Sequence, residues 1–333
     1  MTVARLGLAA LAAAVGVEAA FRVAVDLPLP GRQWDDPVLE LKSRQMKRRR
    51  LTRCDVAFVG GSTTYASINP EPFARHVRRG SICYNAGFRL GVPRVYQHWV
   101  KEFVVPDLRP GWLVLGISAA DLNDNALNTP GALESYLSAR YRRASGWSRL
   151  LTLALETSAA IRYRHAIGSG DFWRKVKAGL RRRLAGVAAR SGETLESTAS
   201  GHAVAYSDRA YLETENMVRL LRELLLHEFS HGGVEFDALR TTVATARTGG
   251  AQVAFTWLPV APATPRFFPG GESTVSAVQS DLRALSVELE CPMFVPLADL
   301  QHESYFADPL HFNASGSHQY SVWLGTKMAP LLR

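Results

Sequence analysis

Three residues of this chain have types and surroundings suited to nucleophilic chemistry. Ser62 follows two glycines at the end of a short apolar run, Val56–Val59. Such a run, bounded at once by glycines, predicts a buried strand that ends in a tight turn. Asp308 and His311 stand near the other end of the chain, three residues apart. A serine hydroxyl is a weak nucleophile until a neighbouring base takes its proton, so these two pieces of chain predict one site.

The spacing of the aspartate and the histidine assigns their roles. A histidine ordinarily titrates near neutral pH and can therefore accept a proton from a hydroxyl. A carboxylate three residues earlier can hold the imidazole in one tautomer and stabilise its charged form. We predict that Ser62 is the nucleophile, His311 the base and Asp308 the residue that orients it. His302 and His318 are rival bases, but neither has an aspartate at this spacing.

The same chemistry needs hydrogen-bond donors for the negative oxygen of a tetrahedral intermediate. The backbone N–H of Ser62 is one candidate. A glycine N–H after the second predicted strand is another, and both Gly87 and Gly91 are available there. The loop after the third predicted strand should add an amide side chain, for which Asn123 is our choice and Asn125 the alternative.

Five apolar runs that alternate with helical patterns supply the elements that position these residues. The predicted strands are 56–59, 81–85, 112–117, 252–258 and 293–297, and the predicted helices are 70–79, 92–105, 211–229, 236–246, 281–289 and 315–332. Prolines at 106 and 110 should end the second helix. Strands and helices that alternate in this way predict an α/β fold with a parallel sheet and right-handed crossovers. Such sheets bind ligands at the carboxyl ends of their strands.

Four sequence blocks resemble the SGNH (GDSL-type) hydrolase superfamily. They are Gly60-Gly-Ser-Thr63, Asn85-Ala-Gly87, 116–124 and Asp308-Pro-Leu-His311, in the family's order over 54–332 apart from an insertion. The resemblance implies a flavodoxin-like three-layer α/β/α sandwich with a five-stranded parallel sheet, and esterase or acyltransferase chemistry through Ser62, His311 and Asp308. Two blocks depart from the pattern. The glycine spacing at 87–91 is one residue longer, and the third block lacks Gly-x-Asn-Asp because Ala120 precedes Asp121.

An apolar segment near the amino terminus bears on location. Leu6–Val25 is rich in Ala, Leu and Val, and it fits a signal anchor, a cleaved signal peptide or a buried helix. We favour an anchor over 1–26, then a basic linker over 27–50 and a hydrolase-like domain over 51–333. The basic cluster after the segment favours a cytoplasmic body. Large domains often translocate regardless of such charges, so we predict an extracytoplasmic one.

Positive charge is concentrated in two stretches. The formal net charge is +9 and the sequence pI about 9.7, which favours anionic partners. No zinc-finger, RNP or helix-turn-helix pattern is present, so nucleic acid ranks last. The basic segment 39–53 and the basic helical insertion 129–210 are each interpreted either as a membrane-contacting surface or as a solvated face. For the insertion, a lid is a further interpretation.

The anchor and the serine block together resemble membrane-tethered SGNH members that move acyl groups on envelope polymers. The resemblance implies an acylated, typically acetylated, glycan or envelope polymer as substrate, and a membrane-bound O-acyltransferase as partner. Hydrolysis and acyl transfer both remain open. A non-enzymatic alternative is a degenerate hydrolase that binds glycan or a partner through the basic insertion.

A second enzyme class is considered and set aside. His227-Glu-Phe-Ser-His231 fits His-Glu-x-x-His, which on a helix places two zinc ligands beside a general base. Glycines follow immediately and no third ligand stands at a familiar spacing, so we interpret the match as a coincidence and expect no metal or other cofactor. Cys54, Cys83 and Cys291 form no metal or redox pattern. One disulfide between Cys54 and Cys83 is an alternative, but we predict three small buried residues.

Overall fold

The structure is a computed structural model that describes residues 37–49, 53–78, 80–89, 91–127, 129, 197–203 and 210–332. The chain divides into two units, one formed by 1–40 with 135–194 and the other by 41–134 with 195–333. The second unit contains the whole sheet. The predicted insertion over 129–210 lies largely outside the described residues, as does the predicted linker up to residue 36.

A five-stranded parallel sheet in the order β2-β1-β3-β4-β5 forms the centre of the second unit. The strands are β1 (Val56–Gly60), β2 (Cys83–Asn85), β3 (Trp112–Ile117), β4 (Gln252–Trp257) and β5 (Met293–Phe294). This is the flavodoxin-like strand order, with its topological switch point between β1 and β3. The predicted α/β fold and all five predicted strands are confirmed.

The apolar runs form central strands because both faces of the sheet are covered. Every residue of β1, β2 and β3 is buried, as expected where helices pack on both sides of a parallel sheet. Phe58 packs edge-to-face on Phe73 from the helix after β1, with ring centroids 4.8 Å apart. The three cysteines are free and buried, as predicted. Burial raises the pKa of the Cys54 thiol to about 12.

Helices connect the strands. They are α1 (Pro37–Arg49), α2 (Ser62–Ser67), α3 (Pro70–Val77), α4 (Pro93–Trp99), α5 (Glu215–Leu220), α6 (Val234–Thr248), α7 (Glu272–Glu288) and α8 (Ala314–Met328). Short 3₁₀ turns cover Ala119–Leu122, Thr264–Phe267, Ala298–Gln301, Glu303–Tyr305 and Ala329–Leu332. Asn69 caps α3 by accepting a hydrogen bond from the N–H of Glu71, and Asn313 caps α8 in the same way through the N–H of Gly316.

Three helix predictions are wrong in extent. The helix predicted over 281–289 begins nine residues earlier, because α7 covers Glu272–Glu288. Pro106 does not end the helix that follows β2, because α4 continues as a π-helix over Val100–Leu108 with the proline inside it. The wider π turn accommodates a residue that has no N–H to donate. The helix predicted over 211–229 is confined to α5 and a π turn, Leu221–Leu225, so its last residues form a turn.

The basic segment predicted as a solvated or lipid-facing surface contains a buried lysine. Lys42 on α1 is 0% exposed, and its Nζ donates to the carbonyl oxygens of Asn85 at 2.5 Å and Gly201 at 2.6 Å. The amine also lies 4.4 Å from the centre of the Tyr65 ring. Burial lowers the pKa of Lys42 well below its ordinary value. Lys42 therefore links α1 to the end of β2 through a buried hydrogen bond.

The predicted membrane location is contradicted. Among the residues that the structure describes, none of the helices combines the length and the apolar character needed to cross a bilayer. The segment 6–25, on which the anchor prediction rested, lies outside those residues. We accordingly withdraw the anchored location.

Candidate active site

Ser62 stands at the switch point of the sheet as the first residue of α2. The first backbone hydrogen bond of this helix runs from the N–H of Tyr65 to the carbonyl of Gly61, so the N–H of Ser62 precedes it and points out of the helix end. Gly60 and Gly116 pair across β1 and β3, and Thr64 packs on both. A Cβ on either glycine would collide with the Thr64 hydroxyl, so both glycines let α2 sit against the sheet.

Asp308 and His311 lie in a short hairpin, residues 306–312, whose two ends pair with each other. Phe306 and Phe312 form an antiparallel bridge, and the N–H of Ala307 donates to the carbonyl of His311 at 2.8 Å. At the tip, the Pro309 carbonyl accepts the N–H of Ala261 at 3.0 Å and the Thr264 hydroxyl at 2.7 Å, both from the loop after β4. The sheet therefore fixes the hairpin that presents the imidazole.

The structure brings the three predicted catalytic residues into one hydrogen-bonded row. His311 Nε2 lies 2.9 Å from Ser62 Oγ, and His311 Nδ1 lies 2.9 Å from both carboxylate oxygens of Asp308. Asp308 is 8% exposed and His311 5%. Nε2 can therefore take the serine proton while Asp308 fixes the opposite nitrogen as the protonated one.

The Asp308 carboxylate is suited to remain ionised. Burial acts to raise its pKa, but the charge of His311 and hydrogen bonds from the His311 ring and the N–H groups of Leu310 and His311 outweigh it. The pKa of Asp308 thus lies below its ordinary value. An ionised Asp308 stabilises the imidazolium that forms when His311 accepts a proton.

A pocket of about 70 Å³ opens beside this row. Most of its wall is apolar, with Val92, Ala120, Met217, Leu220, Leu225 and Leu310 contributing. Its polar wall consists of Ser62, Thr63, Ser118, Asp121 and His311. Gly91 also lines the pocket. An apolar pocket of this size next to a serine hydroxyl fits a short acyl chain.

Of the two candidate glycines after β2, the structure places one at the pocket. Gly91 lines it, and its carbonyl oxygen would lie 2.5 Å from a Cβ on Gly61. The N–H of Gly87 instead donates to the side chain of Asn85 at 2.9 Å, and Gly87 packs on the backbone of Tyr65. Gly87 therefore closes the turn after β2 and its N–H does not face Ser62.

Asn123, predicted as an oxyanion donor, is used elsewhere. It is 0% exposed, and its amide nitrogen donates to the carbonyls of Leu225 at 2.8 Å and His227 at 2.9 Å. Its amide oxygen accepts the N–H groups of Asn125 and Ser230. Asn125, the alternative, donates to the Glu228 carbonyl and the Ser230 hydroxyl. Both amides hold the 225–230 turn in place, and neither borders the pocket.

The pocket contains three polar residues to which the sequence assigned no role, namely Thr63, Ser118 and Asp121. Ser118 begins the turn after β3, and its N–H and hydroxyl both donate to Asp121 Oδ2 at 2.8 Å. Thr63, the neighbour of Ser62, donates to the same oxygen at 3.4 Å. The signal was present in the sequence, because Ser118 and Asp121 form a serine-x-x-acid capping box directly after an apolar strand.

The rival metal motif does not form a helix. Residues 226–233 are a turn in which Glu228 has a φ of 40°, so His227 and His231 do not share a helical face. His231 Nε2 lies 3.0 Å from Asp281 Oδ2, and His227 pairs only loosely with Glu228 at 3.9 Å. Within the described ranges, no group of three or more metal-binding side chains is assembled.

Comparisons with known proteins concern the fold. No protein-family model matches the sequence, and no curated protein matches it. Among solved structures, the chain is similar to a proposed acylhydrolase from Bacteroides fragilis NCTC 9343, with 13% sequence identity and a TM-score of 0.44. The match covers 90% of this chain and 99% of that one. At this identity the likeness concerns the fold alone.

Proposed function

We propose that the protein is a serine-dependent acyl-ester hydrolase of the SGNH type. The observation that carries the proposal is the contact of 2.9 Å between Ser62 Oγ and His311 Nε2, with Asp308 bonded to the far nitrogen of the ring. A nucleophile, a base and an orienting carboxylate in this order form the arrangement that activates a serine at neutral pH. The position of Ser62 at the switch point of a parallel sheet adds support.

The reaction proceeds in two halves. Ser62 Oγ attacks the ester carbonyl carbon while its proton passes to His311 Nε2, and the carbonyl oxygen becomes negatively charged. The intermediate collapses, the C–O bond to the alcohol breaks, and the imidazolium returns the proton to the leaving oxygen. A water molecule then attacks the acyl carbon while His311 takes its proton. The bond from the acyl carbon to Ser62 Oγ breaks, and the imidazolium returns the proton to Oγ, which releases the carboxylic acid and free Ser62.

The pocket suggests a short acyl group. Its volume of about 70 Å³ and its aliphatic wall favour acetyl over long chains. An acetylated glycan is our proposed acyl donor, on the strength of the sequence blocks. A sugar hydroxyl in place of water in the second half would make the same enzyme an acyltransferase.

Turnover of p-nitrophenyl acetate by the purified protein tests the proposal. We expect Ser62→Ala to lower kcat/KM by at least about 10³-fold, because the acyl-enzyme cannot form. Ser67→Ala is the matched control, since Ser67 lies on the same helix and does not border the pocket. The octanoate ester should be turned over much more slowly than the acetate. Equal turnover by wild type and Ser62→Ala, with both folded, would remove the assignment.

A further inference from the structure

The two carboxyl oxygens of Asp121 have different surroundings. Oδ2 accepts the N–H and the hydroxyl of Ser118 and the hydroxyl of Thr63. Oδ1 has no hydrogen-bond donor among the described residues. It borders the backbone just before the nucleophile, because a Cβ on Gly61 would lie 3.0 Å from it. Asp121 also lines the pocket together with Ser62 and His311. One oxygen is therefore held in place and the other faces the reacting region.

The bonding of Oδ2 decides where a proton on this carboxyl would sit. Both groups of Ser118 point their hydrogens at Oδ2, so this oxygen stays an acceptor. A proton on Asp121 would occupy Oδ1 and make it a hydrogen-bond donor towards the pocket. An ionised Asp121 would instead direct a bare negative oxygen at the place where a second negative oxygen must develop, and that repels the transition state.

The surroundings of Asp121 keep its carboxyl group protonated up to mildly acidic pH. Burial raises the pKa of Asp121 to about 6, against the hydrogen bonds from Ser118 and Thr63 and the charge of His311, which lower it. Among the described residues, Tyr96 of α4 also interacts with Asp121, and burial, Asp121 and Glu235 raise the pKa of Tyr96 well above its ordinary value. Tyr96 therefore stays neutral while Asp121 titrates.

We propose that Asp121, as a carboxylic acid, donates a hydrogen bond from Oδ1 to the carbonyl oxygen of the ester that Ser62 attacks. This inference rests on the proposed function and gives Asp121 the task for which the sequence had nominated Asn123. The proton stays on Asp121 throughout, so the residue stabilises the developing charge without taking part in proton transfer. The held Oδ2 and the Ser118 hydrogen bonds keep the donor aimed at the pocket.

The consequence is a specific pH dependence. Acylation needs a neutral His311, which a rising pH favours, and a protonated Asp121, which is lost as the pH rises through about 6. On the alkaline side the wild type should therefore be slower than a variant whose donor does not titrate. Asp121→Asn keeps an acceptor for Ser118 and places an amide N–H at the pocket at every pH. We expect this variant to lose the dependence on a protonated carboxyl and to exceed the wild type at pH 8. Asp121→Ala should fall about 10²- to 10³-fold below the wild type at pH 5.5.

The experiment measures acylation rates with p-nitrophenyl acetate from pH 5 to 9 for the wild type, Asp121→Asn, Asp121→Ala and a control. Asp124→Asn is the control, because Asp124 lies in the same loop and caps α6 through the N–H groups of Gly233 and Glu235. Its profile should match the wild type. Infrared difference spectra between wild type and Asp121→Asn should show a carboxylic acid band at pH 5 that disappears by pH 7.

The outcomes separate this inference from the proposed function. If the wild type is active and Ser62→Ala is not, but Asp121→Asn keeps the wild-type pH profile, the donor role of Asp121 is wrong and the serine assignment stands. Absence of the carboxylic acid band at pH 5 overturns the donor role without reference to activity. If the wild type does not acylate at all, the proposed function fails first. The Asn variant preserves the Ser118 contacts, so it decides the matter even if Asp121→Ala does not fold.

Discussion

The two halves of the site are built in different ways. The base half consists of Ser62, Asp308 and His311, and each of these side chains bonds to another member of the set. The oxyanion half consists of the loops after β2 and β3, residues 86–91 and 118–123. There two of the predicted donors, Gly87 and Asn123, bond to their own surroundings instead of facing Ser62, whereas Gly91 lines the pocket. The Asp308–His311 spacing and the glycine turn before Ser62 predicted the first half, although Ser62 and His311 stand 249 positions apart. Packing among the loops decides the second half.

The two halves face different geometric demands. A nucleophile and its base must meet at one distance, so their geometry is restricted. A negative oxygen can be stabilised by any donor aimed at the right place, whether a backbone N–H, an amide or a carboxylic acid. The third block of this chain departs from Gly-x-Asn-Asp, and the structure has Ser118 and Asp121 at the pocket.

The largest effect should come from the base half. We expect His311→Ala to lower kcat/KM for p-nitrophenyl acetate by about 10³- to 10⁴-fold, because Ser62 loses its proton acceptor. His302→Ala is the matched control, since His302 is an exposed histidine bonded to Ser304. If His302→Ala causes the larger loss, the base half has been assigned to the wrong histidine.

An intermediate effect, on stability, is expected at Asn85, whose side chain hydrogen-bonds to the backbone of α2 and of the residue that follows this helix. Its amide nitrogen donates to the carbonyls of Thr64 at 2.9 Å and Ile68 at 2.6 Å, and its oxygen accepts the N–H of Gly87. Asn85→Ala leaves these buried groups unsatisfied, so we expect a loss of about 2–4 kcal/mol in the free energy of unfolding. Urea denaturation measures it. A stability unchanged within about 0.5 kcal/mol would show that water replaces the amide.

The smallest effect on chemistry should come from Asn123, and this prediction separates the two loops of the oxyanion half. Asn123→Ala removes the bonds that hold the 225–230 turn, so we expect a loss of about 1–3 kcal/mol in unfolding free energy. At a temperature where the variant is folded, kcat/KM should stay within about threefold of the wild type, because the amide does not reach the pocket. A loss of 10²-fold in kcat alone would restore Asn123 as an oxyanion donor.

The sequence predicted the elements that depend on residues close together along the chain. Five apolar runs predicted five buried strands, since a strand covered on both faces needs an uninterrupted apolar sequence. The Asp308–His311 spacing predicted a contact within one hairpin. The burial of Lys42 could not be predicted in this way, because its partners lie 43 and 159 positions away along the chain. Its charge therefore suggested a solvated face.

The misassigned asparagine has a similar cause. Asn123 bonds to carbonyls 102 and 104 positions away, and only the folded chain brings them to it. The helix of six residues that begins at Ser62 was not predicted either, because a short segment with four serine and threonine residues has low helix propensity. Packing of Thr64 against Gly60 and Gly116 stabilises it instead.

The most direct test of the central claim is covalent labelling of Ser62 by a fluorophosphonate, followed by peptide mass spectrometry. The phosphorus atom reacts only with a serine whose proton a base can take. We predict one adduct, on the peptide that contains Ser62, in the wild type and in Asn123→Ala, and at least about 10²-fold slower labelling in His311→Ala. Labelling of another serine, or equal rates in wild type and His311→Ala, would contradict the account.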